Sequence, residues 1–440
     1  MAEKSDFGRA VPVPQRRIWR AARLGAMTAG VAGNMAARGA QGFLTGERPA
    51  IRDLLMTPRN IQRITGELAR MRGAAMKLGQ LVSMDAGEVL PPELAQIMAR
   101  LRAEADYMPP KQLKQVLNAA WGDGWLKQFK RFDVRPIAAA SIGQVHRAQL
   151  RDGRDVAIKI QYPGVARSID SDVANVAALV KLSGLLPKGF ELAPYVEEAR
   201  LQLHEETDYL KEAAHLERFR ALLAKDNRYE LPEVHHDLTV KSVLTMSYLD
   251  SQPLEAVGAL DEPVRNRIAA ELIDLALREL FEFGTVQSDP NYANFRYNPE
   301  TQRLVLLDFG ATRDLDPGIC DQYRALLRAG LENDEPAMQA AAEALGLWAA
   351  DTKPQHIARL TRMMALVMET LRAAHAYDFS DQTLSRKMTE EGIALAEDGF
   401  VPPPVPMDVL FIQRKLAGVF LIAANLRATV PLRKVIAARL

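Results

Sequence analysis

The sequence predicts an α+β fold in two lobes, with a helical extension ahead of them and a second lobe that is largely helical. Three observations carry this. Apolar residues recur at spacings of three and four ahead of residue 130. The pattern changes to period two between Pro136 and Ile160. Helical periodicity returns from Pro317 onward, punctuated by prolines. The expected organisation is a basic, weakly ordered or membrane-surface arm at 1–50, an N-terminal helical extension at 51–130, a first lobe at 131–250 and a second at 251–440.

Composition narrows the function classes. The 440 residues are 48% apolar and 25% charged, the make-up of a globular protein. Lys plus Arg number 56 against 55 acids, so the basic excess of a nucleic-acid-binding protein is missing. A single cysteine, Cys320, excludes an internal disulfide framework and fits a reducing compartment. No Cys/His set has zinc spacing. No apolar run is long enough to span a bilayer. Arg16, Arg17, Arg20 and Arg23 precede the Ala- and Gly-rich stretch Leu24–Gln41, which reads either as a loose basic arm or as an interfacial helix on an anionic surface.

In order along the chain, Thr57-Pro58 opens a helix expected to reach about Asp85, with Ile61, Ile64, Leu68, Met71, Ala75, Leu78 and Val82 on one face. It contains Lys77-Leu78-Gly79-Gln80. Glycine inside a helix costs roughly 1 kcal/mol against alanine, so Gly79 is either a packing notch or a point of close approach, with Lys77 and Gln80 as polar reach. Leu90-Pro91-Pro92 opens a second helix to about Ala105, and Met108-Pro109-Pro110 a third to Ala120. Two strands follow, joined by Asp152-Gly153, a strong hairpin signal. The second carries Val156-Ala157-Ile158-Lys159, the third-strand signature of protein kinases, whose lysine pairs nucleotide phosphates. Upstream, Ala138, Ala139, Ala140, Ser141, Ile142 and Gly143 occupy the place of a nucleotide-covering loop. Alanine stands where glycine is usual, which narrows the backbone freedom near phosphate.

A helix is expected within Pro163–Leu186 and another from Tyr195 to about Leu223. Glu206 and Glu212 on the latter are the acids able to pair with Lys159, with Asp208 between them. Glu233–Leu249 offers two short strands, of which Val243–Leu249 passes where a base would bond backbone groups at Met246 and Tyr248. The helix Arg267–Phe283 leads to Gln287-Ser288-Asp289-Pro290-Asn291-Tyr292-Ala293-Asn294. A hairpin across Asn298–Thr301 then leads to Leu307-Asp308-Phe309-Gly310. An acid five residues before an amide, followed by Asp-Phe-Gly, is the kinase arrangement. Asp289 stands beside the accepting hydroxyl, and Asn294 and Asp308 supply hard oxygen ligands for Mg²⁺. No Ala-Pro-Glu follows. Asp316-Pro317 starts another helix at once.

In this order, Lys77-x-Gly79-Gln80, the Ala138–Gln144 loop, Val156–Lys159, Glu206-x-Asp208, Gln287-x-Asp289-Pro290-Asn291 and Asp308-Phe309-Gly310 resemble the UbiB-type atypical kinases of coenzyme Q biosynthesis, over roughly residues 58–435. The Gln-x-Asp-Pro-Asn form looks more like the mitochondrial branch. The resemblance implies a protein-kinase-like fold that binds ATP with Mg²⁺, its extension packed over the active site. Lys77, Gly79, Gln80, Asp208 and Glu212 are then capping or regulatory residues. Lys77 meets Glu206 and Asp208, and Lys159 meets Glu206 or the phosphates. Catalysis falls to Asp289, Lys159 and Glu206. The partners it implies are lipid-like quinone precursors, quinone-synthesis enzymes, a membrane surface and a second copy of the chain. The location it implies is cytoplasmic and peripheral to the inner membrane. Three activities fit: an ATPase presenting quinone intermediates, a kinase for a small molecule or protein, and a nucleotide-binding pseudokinase scaffold. The retained Asp289, Asn294 and Asp308 argue against the last.

Overall fold

The structure, a computed structural model, describes residues 71, 73–75, 77–79, 107–183 and 192–440. The arm at 1–50, the helix starts at Pro58 and Leu90, and Gln80 lie outside these. Residues 73–75 and 77–79 are helical, as the apolar spacing requires. Two compact units form: residues up to Ala214 with Glu233–Tyr248, and His215–Pro232 with Leu249–Leu440.

The first unit is built on a five-stranded antiparallel sheet. Strands β1 (Phe129–Phe132), β2 (Ala138–Ala139), β3 (Gly143–Leu150) and β4 (Asp155–Gln161) precede the final strand, Val243–Ser247. The order is β1, β3, β4, Val243–Ser247, with β2 beside β3. Asp152-Gly153 turns β3 into β4, Gly153 taking φ +99°, so the predicted hairpin holds. In β4 the side chains of Val156, Ile158 and Ile160 are fully buried, each worth roughly 1.5–3 kcal/mol of transfer free energy. They pack with Leu113 and Leu117 of helix α1 (Pro110–Trp121) and with Trp125 and Phe129. Lys159 lies on the other face, in register with Val145 and Leu244.

Helix α2 (Val165–Ser183) matches expectation. The single helix expected over 195–223 does not form. Helix α3 (Ala193–Glu206) ends and α4 (Tyr209–Leu222) begins anew. Thr207 and Asp208 cause the break. Thr207 Oγ1 donates to His204 O at 2.7 Å, and Asp208 Oδ1 accepts from Leu210 N at 3.1 Å. Such short side chains compete with helical bonds and favour caps. The two strands expected over 233–249 reduce to one. His236–Leu238 is a 3₁₀ turn, and Val234 makes only an isolated bridge to Met246.

In the second unit β5 (Tyr229–Glu230) precedes the last strand of the first unit, which is therefore β6. A four-stranded sheet runs β5, β10 (Arg303–Leu306), β9 (Phe295–Asn298), β7 (Gln252–Pro253). The predicted hairpin is β9–β10, with Asn298 Oδ1 accepting from Glu300 N and Thr301 N in the turn. Helix α5 (Glu262–Arg278) continues as one π turn, Glu279–Phe283, into β8 (Thr285–Gln287), which pairs with β11 (Thr312–Asp314). Helices α6 (Pro317–Glu332), α7 (Glu335–Ala344), α8 (Pro354–Arg372), α9 (Thr383–Glu397), α10 (Met407–Asn425) and α11 (Leu432–Ala437) follow, with Tyr377–Asp378 paired to Thr429–Val430. Asp316 caps α6, accepting from Gly318 N and Ile319 N. Cys320 is buried without a disulfide, and burial pushes its thiol up to about 11. No helix among the described residues is long and apolar enough to cross a membrane.

Candidate functional site

In the first unit a buried cation and two acids gather behind the alanine loop. Lys159 Nζ donates to Glu212 Oε1 at 2.7 Å and Oε2 at 3.0 Å. The two side chains are 9% and 4% exposed, so each charge offsets the desolvation cost of the other. Of the two candidate acids Glu212 is therefore the partner of Lys159, whereas Glu206, the one the resemblance implied, bonds to other groups at the loop. Glu206 forms an ion pair with Lys77, and Glu206 Oε2 accepts from Ser141 Oγ at 2.8 Å. The reason is the break at Thr207-Asp208, which puts Glu206 at the end of α3 and Glu212 in the first turn of α4. Lys77 meets Glu206 as expected. Asp208 instead caps α4, with Lys241 Nζ 3.8 Å from its Oδ2.

The alanine loop is a tight hairpin. Ala138 and Ala139 pair with Val145 and Gln144, Ala140 N donates to Gly143 O at 2.9 Å, and Ser141-Ile142 forms the tip. A methyl at Gly143 would lie 2.3 Å from Ile160 O, so only glycine fits there. A methyl at Gly73 would meet Ile142 Cγ2 at 3.0 Å, which places the Lys77 helix on the loop tip. Gly79 is half-buried on that helix. Met246 lies in β6, in register with Ala157. Tyr248 N donates to Asp155 O at 2.9 Å, so that N–H serves the sheet and not a base.

In the second unit the Asp289–Asn294 loop is held by its own amides. Asn294 Nδ2 donates to Asp289 O at 2.7 Å and lies 3.4 Å from Asp289 Oδ2. The amide nitrogen is thereby used inside the loop, and the amide oxygen is the atom suited to a metal. Asp308 Oδ1 accepts from Gly310 N at 2.9 Å. Phe309 is buried, 4.8 Å from the Phe219 ring, and its carbonyl lies 3.3 Å from His215 Nδ1. No cluster of three or more His, Cys, Asp or Glu suited to a metal occurs among the described residues. One carboxylate and one amide oxygen is the donor set of Mg²⁺ bound largely through phosphate oxygens and water.

Residues 100–342 match the ABC1 atypical kinase-like domain. The chain is 36% identical to "Atypical kinase COQ8, mitochondrial" of Saccharomyces cerevisiae, over 97% of this chain and 85% of that one. The chain belongs to the ABC1 atypical kinase-like family. It is an ATP-dependent phosphoryl-transfer enzyme of that class. "Atypical kinase coq-8, mitochondrial" of Caenorhabditis elegans is 37% identical over 95% of this chain and 56% of its own length, so the chain spans little more than half of that relative. Among solved structures, the complex of Rv3197 with erythromycin from Mycobacterium tuberculosis is similar at a TM-score of 0.61. It is 25% identical and covers 87% of this chain and 95% of that one.

Sequence reasoning missed one contact of this atypical-kinase site. Arg414 Nη2 donates to Asp289 Oδ1 at 2.6 Å. The signal was present: Arg414 and Lys415 interrupt an apolar helix, and charges in such a place need partners.

Proposed function

We propose that the chain binds Mg-ATP and uses it to support isoprenoid quinone (coenzyme Q) biosynthesis, acting on or presenting lipid-like precursors at a membrane surface. Lys159 takes the nucleotide phosphates, and Asn294 and Asp308 hold the metal ion. Magnesium, when bound, would neutralise phosphate charge. Asp289 orients the attacking oxygen and takes its proton as the bond from the terminal phosphorus to the bridging oxygen breaks. The observation that carries this reading is the buried Lys159–Glu212 ion pair, the charge partnership that an active kinase lysine requires. The relatives named as mitochondrial COQ8 kinases support the quinone pathway. Lys77 held against Glu206 at the alanine loop supports an ATPase over a kinase for large protein substrates, and so does the lack of Ala-Pro-Glu after Asp308.

The test is phosphate release from Mg-ATP by the purified chain, with and without anionic vesicles and no acceptor. Turnover stimulated by vesicles and lost in Asp308→Asn is the expected result. Unchanged release in Asp308→Asn would overturn the site assignment. A kinase for a small molecule is the second reading, favoured by the retained Asp289; label transferred from ATP to an added acceptor would select it.

A further inference from the structure

One face of α10 is fitted to the Gln287–Asn294 segment at four points. Arg414 Nη2 donates to Asp289 Oδ1 at 2.6 Å. Lys415 Nζ donates to Gln287 O at 3.1 Å and to Glu279 Oε1 at 3.0 Å. Gly418 lies so close to Pro290 that a methyl there would sit 2.2 Å from Pro290 Cγ. Ile422 O accepts from Tyr292 OH at 3.2 Å. Positions 414, 418 and 422 share one side of a helix, with 415 beside them.

We propose that Arg414 and Lys415 are positioning residues for phosphoryl transfer, a step that rests on the reading above. Lys415 fixes the loop through its backbone. Glu279, on the π turn after α5, accepts from Gln287 N at 3.1 Å while Lys415 donates to Gln287 O, so one buried ion pair grips both main-chain groups two residues before the acid. Lys415 and Glu279 are 2% and 1% exposed. A pair so deeply buried has one arrangement that satisfies it, and the loop inherits that arrangement. Arg414 then fixes the Asp289 side chain. Its planar fork sets a direction that a lysine ammonium does not. Two adjacent residues of one helix turn thus define where the acid starts and which way it points. In this sequence, which lacks Ala-Pro-Glu, α10 supplies the brace.

The experiment uses the full chain with Arg414→Met, Arg414→Lys and Gly418→Ala. It measures kcat and KM for Mg-ATP hydrolysis, and amide hydrogen exchange over 287–294. Arg414→Met is expected to lower kcat by about 100-fold, the scale of misplacing a reacting group by an ångström, with KM for ATP within about twofold of the parent. Exchange in the loop rises. Arg414→Lys recovers part of kcat, which a general loss of packing would not allow. Gly418→Ala pushes Pro290 without removing charge and reproduces the kcat loss; it carries the test if Arg414→Met does not fold. Parental kcat and parental loop exchange in both Arg414→Met and Gly418→Ala would overturn the inference. If the parent turns over no ATP, the phosphoryl-transfer reading falls, and the exchange comparison alone decides whether α10 positions the loop.

Discussion

Lys159 is bonded to Glu212 and not to Glu206: both carboxylate oxygens of Glu212 accept from its Nζ, at 2.7 and 3.0 Å. Glu206 is bonded to Lys77 and Ser141 instead. The two glutamates of neighbouring helix ends therefore have separate duties. One holds Lys159 in β4. The other ties the N-terminal helix to the alanine loop.

Substituting the two acids separates these duties. Glu212→Gln removes the carboxylate that accepts twice from the buried Lys159 ammonium, and breaking a buried pair costs about 3–5 kcal/mol. ATP turnover should fall with it. Glu206→Gln leaves the Lys159 pair intact, and KM for ATP should stay within a few-fold of the parent. Steady-state kinetics and thermal melts of both variants check this. A larger loss of ATP affinity in Glu206→Gln than in Glu212→Gln would show that the pairing has been assigned to the wrong acid.

The alanine loop should govern which nucleotide is preferred. Ser141→Ala removes one hydrogen bond from the loop tip, worth roughly 0.5–1.5 kcal/mol, while Glu206 keeps Lys77. Glycine at Ala139 or Ala140 widens φ/ψ and weakens the strand by roughly 0.5–1 kcal/mol. In each case the ratio of ADP to ATP dissociation constants should change more than the melting temperature. Titration calorimetry reads the ratio directly, and identical ratios in parent and variants would contradict the loop's role.

What could be read from the sequence was what is local in it. Asp152-Gly153, Val156–Lys159, the Asp289–Asn294 loop and the β9–β10 hairpin each carry their signal within a dozen residues, because turn chemistry and alternation are short-range. The partner of Lys159 was not local. Periodicity runs smoothly from α3 into α4, and only the caps at Thr207 and Asp208 show that Glu206 and Glu212 belong to different helices. Arg414 lies 125 residues from Asp289, and no spacing rule links them. Its mark was only the oddity of two adjacent charges in an apolar helix. At Val234 the strand pattern was genuine but short, and the chain spends it on a single bridge.

Lys415→Met tests the ion pair beneath the loop by stability alone. Glu279 would remain as a buried carboxylate, and the loss should be about 3–5 kcal/mol. Burial already pushes the Glu279 carboxyl above its usual range, and Lys415 opposes that shift. Without Lys415 the carboxyl takes up a proton more readily in the folded than in the unfolded chain. The folded state then binds more protons, so the deficit of the variant should shrink as pH falls toward 5 and widen as pH rises. Adding Glu279→Leu should recover most of the loss by removing the stranded charge. Urea midpoints at two pH values check it. A double variant no more stable than Lys415→Met would mean the charge is not what the substitution exposes.

His146 should make the first unit acid-sensitive. Its ring is fully buried between Gln144 and Asp133. Gln144 Oε1 accepts from Met108 N at 2.8 Å, so Gln144 Nε2 is the group 2.7 Å from His146 Nε2, and it can only donate. His146 Nδ1 therefore carries the proton and donates to Asp133 O at 2.8 Å. A second proton on the ring would set two donors against each other. Burial lowers the histidine from 6.5 to about 4, the Asp133 carbonyl opposing only in part. Folding is unaffected by this group above pH 6.5. Below it the unfolded chain takes up a proton that the folded one refuses, so stability falls as pH drops toward 4, by about 3 kcal/mol in all. His146→Gln, which cannot titrate, should lose less stability than the parent between pH 7 and pH 5 in urea unfolding. Equal losses in the two proteins would place the acid sensitivity in other groups.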